Sequence, residues 1–352
     1  MKRNPFTDRF SLRVPLVQAP MGGATTPAMV AAVCEAGGLG SLAAAYLAPA
    51  AIEAQLRETR RLTARPFAVN LFAPFEDPAV SPDELERAAG ELRPFRERLG
   101  LGAAGAPPRV ERFEEQFEAV MRAPPAALSF CFGLIPPAAV ERCRAAGTWV
   151  IGTATSVAEA RALEQAGADA VCAQGAEAGA HRGTFDARAE PSGLGTLALL
   201  PQVVDAVRVP VLAAGGIMDG RGILAALALG AGAAQLGTAF LRSPESSIPQ
   251  AHKDALARAA GEATVVTRAF SGRPARALAN RFTREVRAPL PFPLQNALTR
   301  ELRQAAAARG DLEVLSLWAG QGAAMARSLP CRELVERLAR ELDEAVRLLT
   351  VT

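Results

Sequence analysis

A chain of 352 residues, half of them apolar, is long enough for one large α/β domain or two ordinary ones and can close a sizeable core. Its formal charge of +3, from 39 basic and 36 acidic residues, is weak, and no basic stripe is interleaved with aromatics, which argues against a nucleic-acid partner. The apolar stretches are short and broken by Gly and Pro, and no charged-then-apolar leader opens the chain, so the sequence predicts a cytoplasmic protein with no membrane partner. Cys34, Cys131, Cys143, Cys172 and Cys331 are scattered without a CxxC pair; they read as small buried hydrophobes rather than as a metal site or disulfide framework.

Taken in chain order, the first 75 residues alternate strand-like and helix-like runs. "LVQAPMGG" (16 to 23) is a buried strand ending in glycines. "TTPAMVAAVCEAGG" (25 to 38) reads as a capped helix with Pro27 in its first turn and glycine beyond its end. "LGSLAAAY", "PAAIEAQLRETRRLT" and "RPFAVNLFAP" continue as strand, helix and strand. From about Pro74 to Pro125 the rhythm gives way to charged helical material, read as an insertion after the third strand. "AALSFCFG", "TWVIGTA", "DAVCAQG", "VPVLAAGGI" and "AAQLGTAFL" then complete eight strands, separated by helices such as "SVAEARALEQAGA" and "DGRGILAALALGA".

Continuous apolar strands joined by crossover helices belong to parallel sheets buried on both faces. Eight of them predict an α/β fold of the (β/α)8 TIM-barrel type, with an open doubly wound sheet as the alternative. The expected organisation is a barrel over residues 1–260, with the helical insertion at about 74–125, and a C-terminal helical extension over 261–352 that caps or flanks it. Within that extension, 264 to 282 reads as a loop, and 291 to 310 and 328 to 349 as one helix each.

In such barrels a ligand lies over the carboxyl ends of the strands, with phosphate in the loops after the seventh and eighth. "AAGGI" (213 to 217) and "QLGTAFL" (235 to 241) end those strands. Gly215, Gly216 and Gly237 let backbone N–H groups approach phosphate oxygens, and Thr238 adds a hydroxyl. A helix beginning near Asp219 follows the first of these loops. An anion is held this way without lysine, of which the chain has only Lys2 and Lys253. Tight turns are the plainer reading of a single Gly-Gly pair.

Gln18, Met21, Asn70, Thr153 and Gln174 interrupt apolar strand ends. A neutral amide there suits the pyrimidine edge or ribityl chain of a flavin, or else bonds a neighbouring loop. His181, in "AQGAEAGAHRG" (173 to 183), follows the sixth strand in a segment flexible enough to fold over the mouth, where an imidazole accepts a proton or donates a hydrogen bond. A structural histidine is the alternative. Glu177 reads as a loop-orienting residue, and His252, among charged neighbours, as a surface one.

"QAPMGGATTPAMVAAVCEAGGLGSL", "FAVNLF", "QGAEAGAHRGTF", "AAGGI", "QLGTAFL" and "PLQNALTRELR" with "SLWAGQG" together resemble the nitronate monooxygenases, formerly called 2-nitropropane dioxygenases, over nearly the whole chain. The resemblance implies non-covalently bound FMN. Position by position, it sets Met21 with Gly22 by the flavin and Asn70 and Gln174 on its isoalloxazine and ribityl parts. Gly179, Gly215, Gly216, Gln235, Leu236, Gly237 and Thr238 fall along the phosphate and sugar, and His181 matches the active-site histidine. The implied reaction is oxidation of an alkyl nitronate, or a nitroalkane, by the flavin and dioxygen to a carbonyl compound and nitrite. His181 either stabilises the anionic nitro group or removes an α-proton. No metal is implied, and a homodimer is one assembly the resemblance permits.

Some positions depart from the family pattern. Cys131 stands where relatives often carry histidine, Tyr46 is the sole tyrosine, and no lysine lies in the C-terminal helices. A pocket walled by Phe113 and Phe292 is therefore expected to be more apolar, with fewer donors for a carboxylated nitronate such as propionate 3-nitronate. Two rival functions remain at this point: an NAD(P)H-dependent FMN reductase of the enoyl-thioester or quinone type, and a barrel that binds a phosphate ligand without turnover.

Overall fold

The computed structural model describes residues 4–103, 110–188 and 192–350. A short helix α1 (Pro5–Arg9), capped by the Asn4 side chain, closes the bottom of the molecule, its Phe6 and the following Phe10 packing edge-on to Trp149 at 6.3 and 5.5 Å. The strands β1 (Leu16–Gln18), β2 (Ser41–Ala43), β3 (Ala68–Phe72), β4 (Ala127–Cys131), β5 (Trp149–Ala154) and β6 (Ala170–Gln174) form one parallel sheet with β8 (Val211–Ala214) and β9 (Ala233–Leu236), in the order β1-β9-β8-β6-β5-β4-β3-β2. β7 (Ala180–His181) lies outside it.

The sheet closes on itself where Val17 bridges Leu39 in parallel, with Gln18 N–H donating to Leu39 O at 2.9 Å. Just beyond, the buried Gln18 amide replaces the ladder: its Oε1 accepts from Ser41 N–H at 3.1 Å, while Nε2 donates to Ala19 O and Thr25 Oγ1. Gln18 thus fastens the barrel seam and does not serve the mouth. The expected (β/α)8 barrel is the observed one.

The helices α2 (Pro27–Glu35), α3 (Pro49–Leu62), α5 (Phe113–Met121), α6 (Pro137–Ala145), α7 (Val157–Gln165), α8 (Thr196–Ala206) and α9 (Gly220–Ala228) ring the barrel. Local chemistry sets their starts: Thr26 accepts from Met29 N–H, Ser156 from Glu159 N–H, and Asp219 from Arg221 and Gly222 N–H, while Pro27, Pro49 and Pro137 occupy first-turn positions whose missing N–H costs nothing. The eighth place in the ring is taken by the last helix, α14 (Cys331–Thr350), packed against α9 and α2. Gly220 is the contact point, since a Cβ there would lie 2.2 Å from Leu342 N.

The stretch read as an insertion after β3 divides in two. α5 is the ordinary crossover helix, packed on α3 and β3, whereas α4 (Pro82–Arg98) stands apart. α4 packs on the C-terminal segment, made of α10 (Gln250–Ala257), α11 (Arg281–Glu285), α12 (Leu294–Leu298) and α13 (Arg300–Arg309). Phe95 of α4 lies 4.8 Å from Phe282, which stacks on Phe270 at 4.5 Å, and Arg96 and Arg98 pair with Glu301 and Asp311. A second apolar cluster thus sits beside the barrel core.

Two expectations for this segment change. The stretch 264 to 282 contains two strands, β10 (Thr264–Thr267) and β11 (Ala275–Leu278), and α11, because β11 pairs antiparallel with β10 on one side and β7 on the other. The single helix read over 291 to 310 breaks at Thr299, whose hydroxyl donates to Phe270 O at 2.6 Å.

Candidate active site

The carboxyl ends of β6, β8 and β9 meet two crossing loops in a rim built largely of glycine. The N–H groups of Gly179, Gly215, Gly216, Gly237 and Thr238 donate to no protein acceptor among the described residues. Gly215 and Gly216 have φ of +117° and +73°, which glycine adopts without strain. A Cβ on Gly179 would lie 2.5 Å from Gly320 N, and one on Gly215 would lie 2.8 Å from Thr196 Oγ1, so these loops reach their spacing only without side chains. Converging free N–H groups on such turns form a concave anion site.

The N-terminus of α9, by contrast, already holds its anions. Asp219 accepts from Arg221 and Gly222 N–H, and Glu341 of α14 accepts from Gly220 N–H at 3.3 Å. A phosphate is therefore left the glycine turns and not the helix that follows them. Glu177 plays the loop-orienting part expected of it: its carboxylate accepts from Thr196 N–H at 2.8 and 2.9 Å and caps α8. Thr238 Oγ1 in turn accepts from Gly320 N–H at 2.9 Å.

His181 is not carried on a flexible loop. It pairs as a strand residue with Ala275 of β11, and Arg182 N–H donates to Pro274 O at 2.9 Å. Gln174 ties the same turn from below, donating to His181 O at 3.0 Å and accepting from Gly183 N–H at 2.8 Å. Glu159 accepts from Thr184 Oγ1 and Phe185 N–H, and Arg273 donates to Thr184 O and Phe185 O. Ala180 and Phe132, flanking the imidazole, have φ of +58° and +80°, a strained backbone held in place by this surrounding structure.

The imidazole is enclosed by aromatic rings from distant parts of the chain: Phe132 at 5.6 Å, Trp318 at 5.6 Å, Phe292 at 6.3 Å and Phe72 at 6.4 Å. Its Nε2 lies 2.8 Å from Ser271 Oγ. Burial, reinforced by the nearby Arg273 and Arg303 charges, pushes its pKa down to about 3. The ring is therefore neutral at working pH: it offers one hydrogen-bond donor and one lone pair, and as a base it is weak.

Beside it the buried Arg273 guanidinium lies 3.9 Å from the Phe132 ring centroid, and burial lowers its pKa to about 10 while leaving it charged. Arg303 is held from α13 by Thr299 and Asn296. The Cys131 thiol is pushed up to about 12 by burial and stays protonated, hence unreactive.

The structure brings most of the expected residues to this mouth, with different tasks for some. Met21, half-buried, and the exposed Gly22 line the rim beside Gly237 and Tyr46. Asn70 uses Nδ2 on Ser129 Oγ and keeps its Oδ1 free, and the half-buried Gln235 amide has no protein partner among the described residues. Gln174 is consumed by its own loop, and the Leu236 side chain is core.

Phe113 is no pocket wall: it stacks on Phe117 at 5.4 Å beneath the helix ring. His252 is 3 % exposed rather than on the surface, and burial pushes it down to about 4. Arg273 and Arg303 lie in electrostatic range of the imidazole, though Thr184, Phe185, Thr299 and Asn296 take several of their N–H groups. Ser271, Arg273, Arg303, Phe72, Phe132 and Trp318 escaped sequence reading; the one signal was "SGRP", a turn carrying an arginine.

A family model described as nitronate monooxygenase matches residues 3–341. A probable nitronate monooxygenase of Staphylococcus aureus strain JH9 is 40 % identical, over 97 % of this chain and 98 % of its own. Among solved structures, a nitroalkane oxidase from Streptomyces ansochromogenes is 46 % identical with a TM-score of 0.92, covering 98 % of this chain and 100 % of that one. FabK from Thermotoga maritima is 32 % identical with a TM-score of 0.77, covering 99 % of each chain.

Proposed function

Because the chain belongs to the nitronate monooxygenase family and is a flavin-dependent oxidoreductase, we propose that it binds FMN and oxidises alkyl nitronates with dioxygen to a carbonyl compound and nitrite. The free N–H groups of Gly179, Gly215, Gly216, Gly237 and Thr238 suit the phosphate, and the cradle their missing side chains leave is the fit expected for it. In this reading Met21, Asn70 Oδ1 and Gln235 meet the sugar and ring. The flavin, when bound, supplies the redox chemistry.

What this chain's own residues contribute follows from one observation: a neutral, half-buried His181 among aromatic rings, with Arg273 and Arg303 in electrostatic range. A nitronate is already a carbanion equivalent and needs no strong base. It needs a dry site of positive potential and a donor for the nitro oxygens, which the two guanidinium groups and the imidazole provide. Removing an α-proton from a neutral nitroalkane would call on a base far stronger than an imidazole titrating near 3. So weak a base favours the nitronate as substrate, and with Ser271 Oγ donating to Nε2 the other ring N–H is left to donate to it.

The test is anaerobic mixing of the FMN-loaded protein with ethyl nitronate and, separately, with NADPH, following the flavin absorbance. Bleaching by nitronate alone is the expected result; bleaching by NADPH alone would transfer the protein to the reductase reading. His181→Asn is expected to lower kcat/KM by about a hundredfold or more with FMN retained.

A further inference from the structure

Tyr46 follows β2 in the loop that leads to α3, far from every other mouth residue in sequence. Its ring is wedged against the rim: a Cβ on Gly22 would lie 3.0 Å from Tyr46 Cδ2, and on its other side the ring meets Phe72 edge-on at 5.1 Å. Phe72 is one of the rings around His181. The phenol oxygen is buried and has no hydrogen-bond partner among the described residues. An orphaned hydroxyl in a packed interior is unfavourable unless something else satisfies it.

The groups in electrostatic reach of this phenol decide what that partner is. Arg303, Arg273 and Arg300 bias the surroundings towards anions, and the nearby Cys131 thiol stays protonated. Burial holds the phenol itself neutral, well above its ordinary range, so its O–H is a donor. A neutral donor beside fixed cations, in a wall that also holds the imidazole, is matched by an oxyanion.

We propose that Tyr46 is a substrate-contacting residue, its phenol O–H donating to an oxygen of the anionic nitro group of the bound nitronate. This deepens the reading of the site as a nitronate oxidase and rests on it. The ring contacts with Gly22 and Phe72 fix the position of the phenol oxygen, and its O–H turns to meet the oxyanion beside it.

The test uses the FMN-loaded full chain and its Tyr46→Phe variant, which keeps the ring packed on Gly22 and Phe72. Two readouts are taken: KM and kcat for ethyl nitronate, and the dissociation constant of nitrate, an inert planar oxyanion, from its perturbation of the flavin absorbance. The expected result is a rise of about tenfold in both KM and the nitrate constant, with kcat changed less than about threefold and FMN content unchanged. Nitrate reads the contact whether or not nitronate is turned over, which separates failure of this assignment from failure of the activity. Equal nitrate affinity in the two proteins, or no nitrate binding by the unaltered one, overturns it. A loss of kcat with unchanged nitrate affinity overturns it as well, because that pattern belongs to a structural tyrosine.

Discussion

The glycine rim and the aromatic mouth lie side by side over the same strands but are made in opposite ways. The rim offers backbone N–H groups from loops stripped of side chains, and its positive character carries no full charge. The mouth is all side chain: rings from residues 72, 132, 292 and 318 enclose an imidazole, with two guanidinium groups and a phenol around it. The contrast teaches that the two halves of the site have different failure modes. A rim built from backbone fails by steric crowding, whereas a mouth built from buried polar groups fails when one of them loses its partner or its proton.

The largest expected effect separates the two halves outright. His181→Asn should leave the protein yellow and nearly inactive, while Gly179→Ala should do the reverse to the cofactor. Its Cβ would fall 2.5 Å from Gly320 N and 2.6 Å from Ala319 C, so the loops must part. Overpacking of roughly 1–3 kcal/mol corresponds to a loss of FMN affinity of about ten- to a hundredfold, read by flavin fluorescence on release. A Gly179→Ala protein that holds FMN normally would break the idea of a side-chain-free cradle.

Arg273→Met comes next. It removes the charge over Phe132 and leaves the Thr184 and Phe185 carbonyls without their donor. The nitronate KM should rise about tenfold and the melting temperature should fall, with FMN still bound. Loss of FMN instead would mean that rim and mouth are mechanically one unit.

The smallest effect is a pH dependence given by the two depressed histidines, one at the mouth and one on α10. Both histidines are depressed, His181 to about 3 and His252 to about 4, by burial. Unfolded imidazoles take up protons below about 6.5 while the folded ones stay neutral, so the unfolded state binds more protons and stability falls as pH drops. Between pH 7 and pH 5 the loss is about 2 kcal/mol per histidine, and His252→Gln should halve that slope in denaturant titrations. An unchanged slope would show that His252 titrates normally.

The eight barrel strands, the capped helices and the glycine turns were legible because each is a local property. Apolar runs, a Thr or Asp before a first turn, and a Gly-Gly pair after a strand act within a few residues of themselves. The extra strands β10 and β11 were not, since a short strand acquires its identity from its partners, and β11 is completed by β7 nearly a hundred residues away. Gln18 and Gln174 show the same limit: an amide at a strand end is written in the sequence, but whether it faces a ligand or closes a seam depends on which acceptors the fold brings to it.

What the amino-acid order determined by itself is the barrel, the glycine turns of its rim and the presence of one histidine near them. The tertiary structure alone decided that this histidine is half-buried among rings, neutral and pinned to β11. It also decided that Tyr46, Arg273 and Arg303 converge on the same mouth, and that Phe113 and His252 fall elsewhere than expected. The reason is physical: hydrogen-bonded turns and hydrophobic periodicity are set by neighbours in sequence, whereas desolvation and electrostatic potential are sums over everything packed nearby in space.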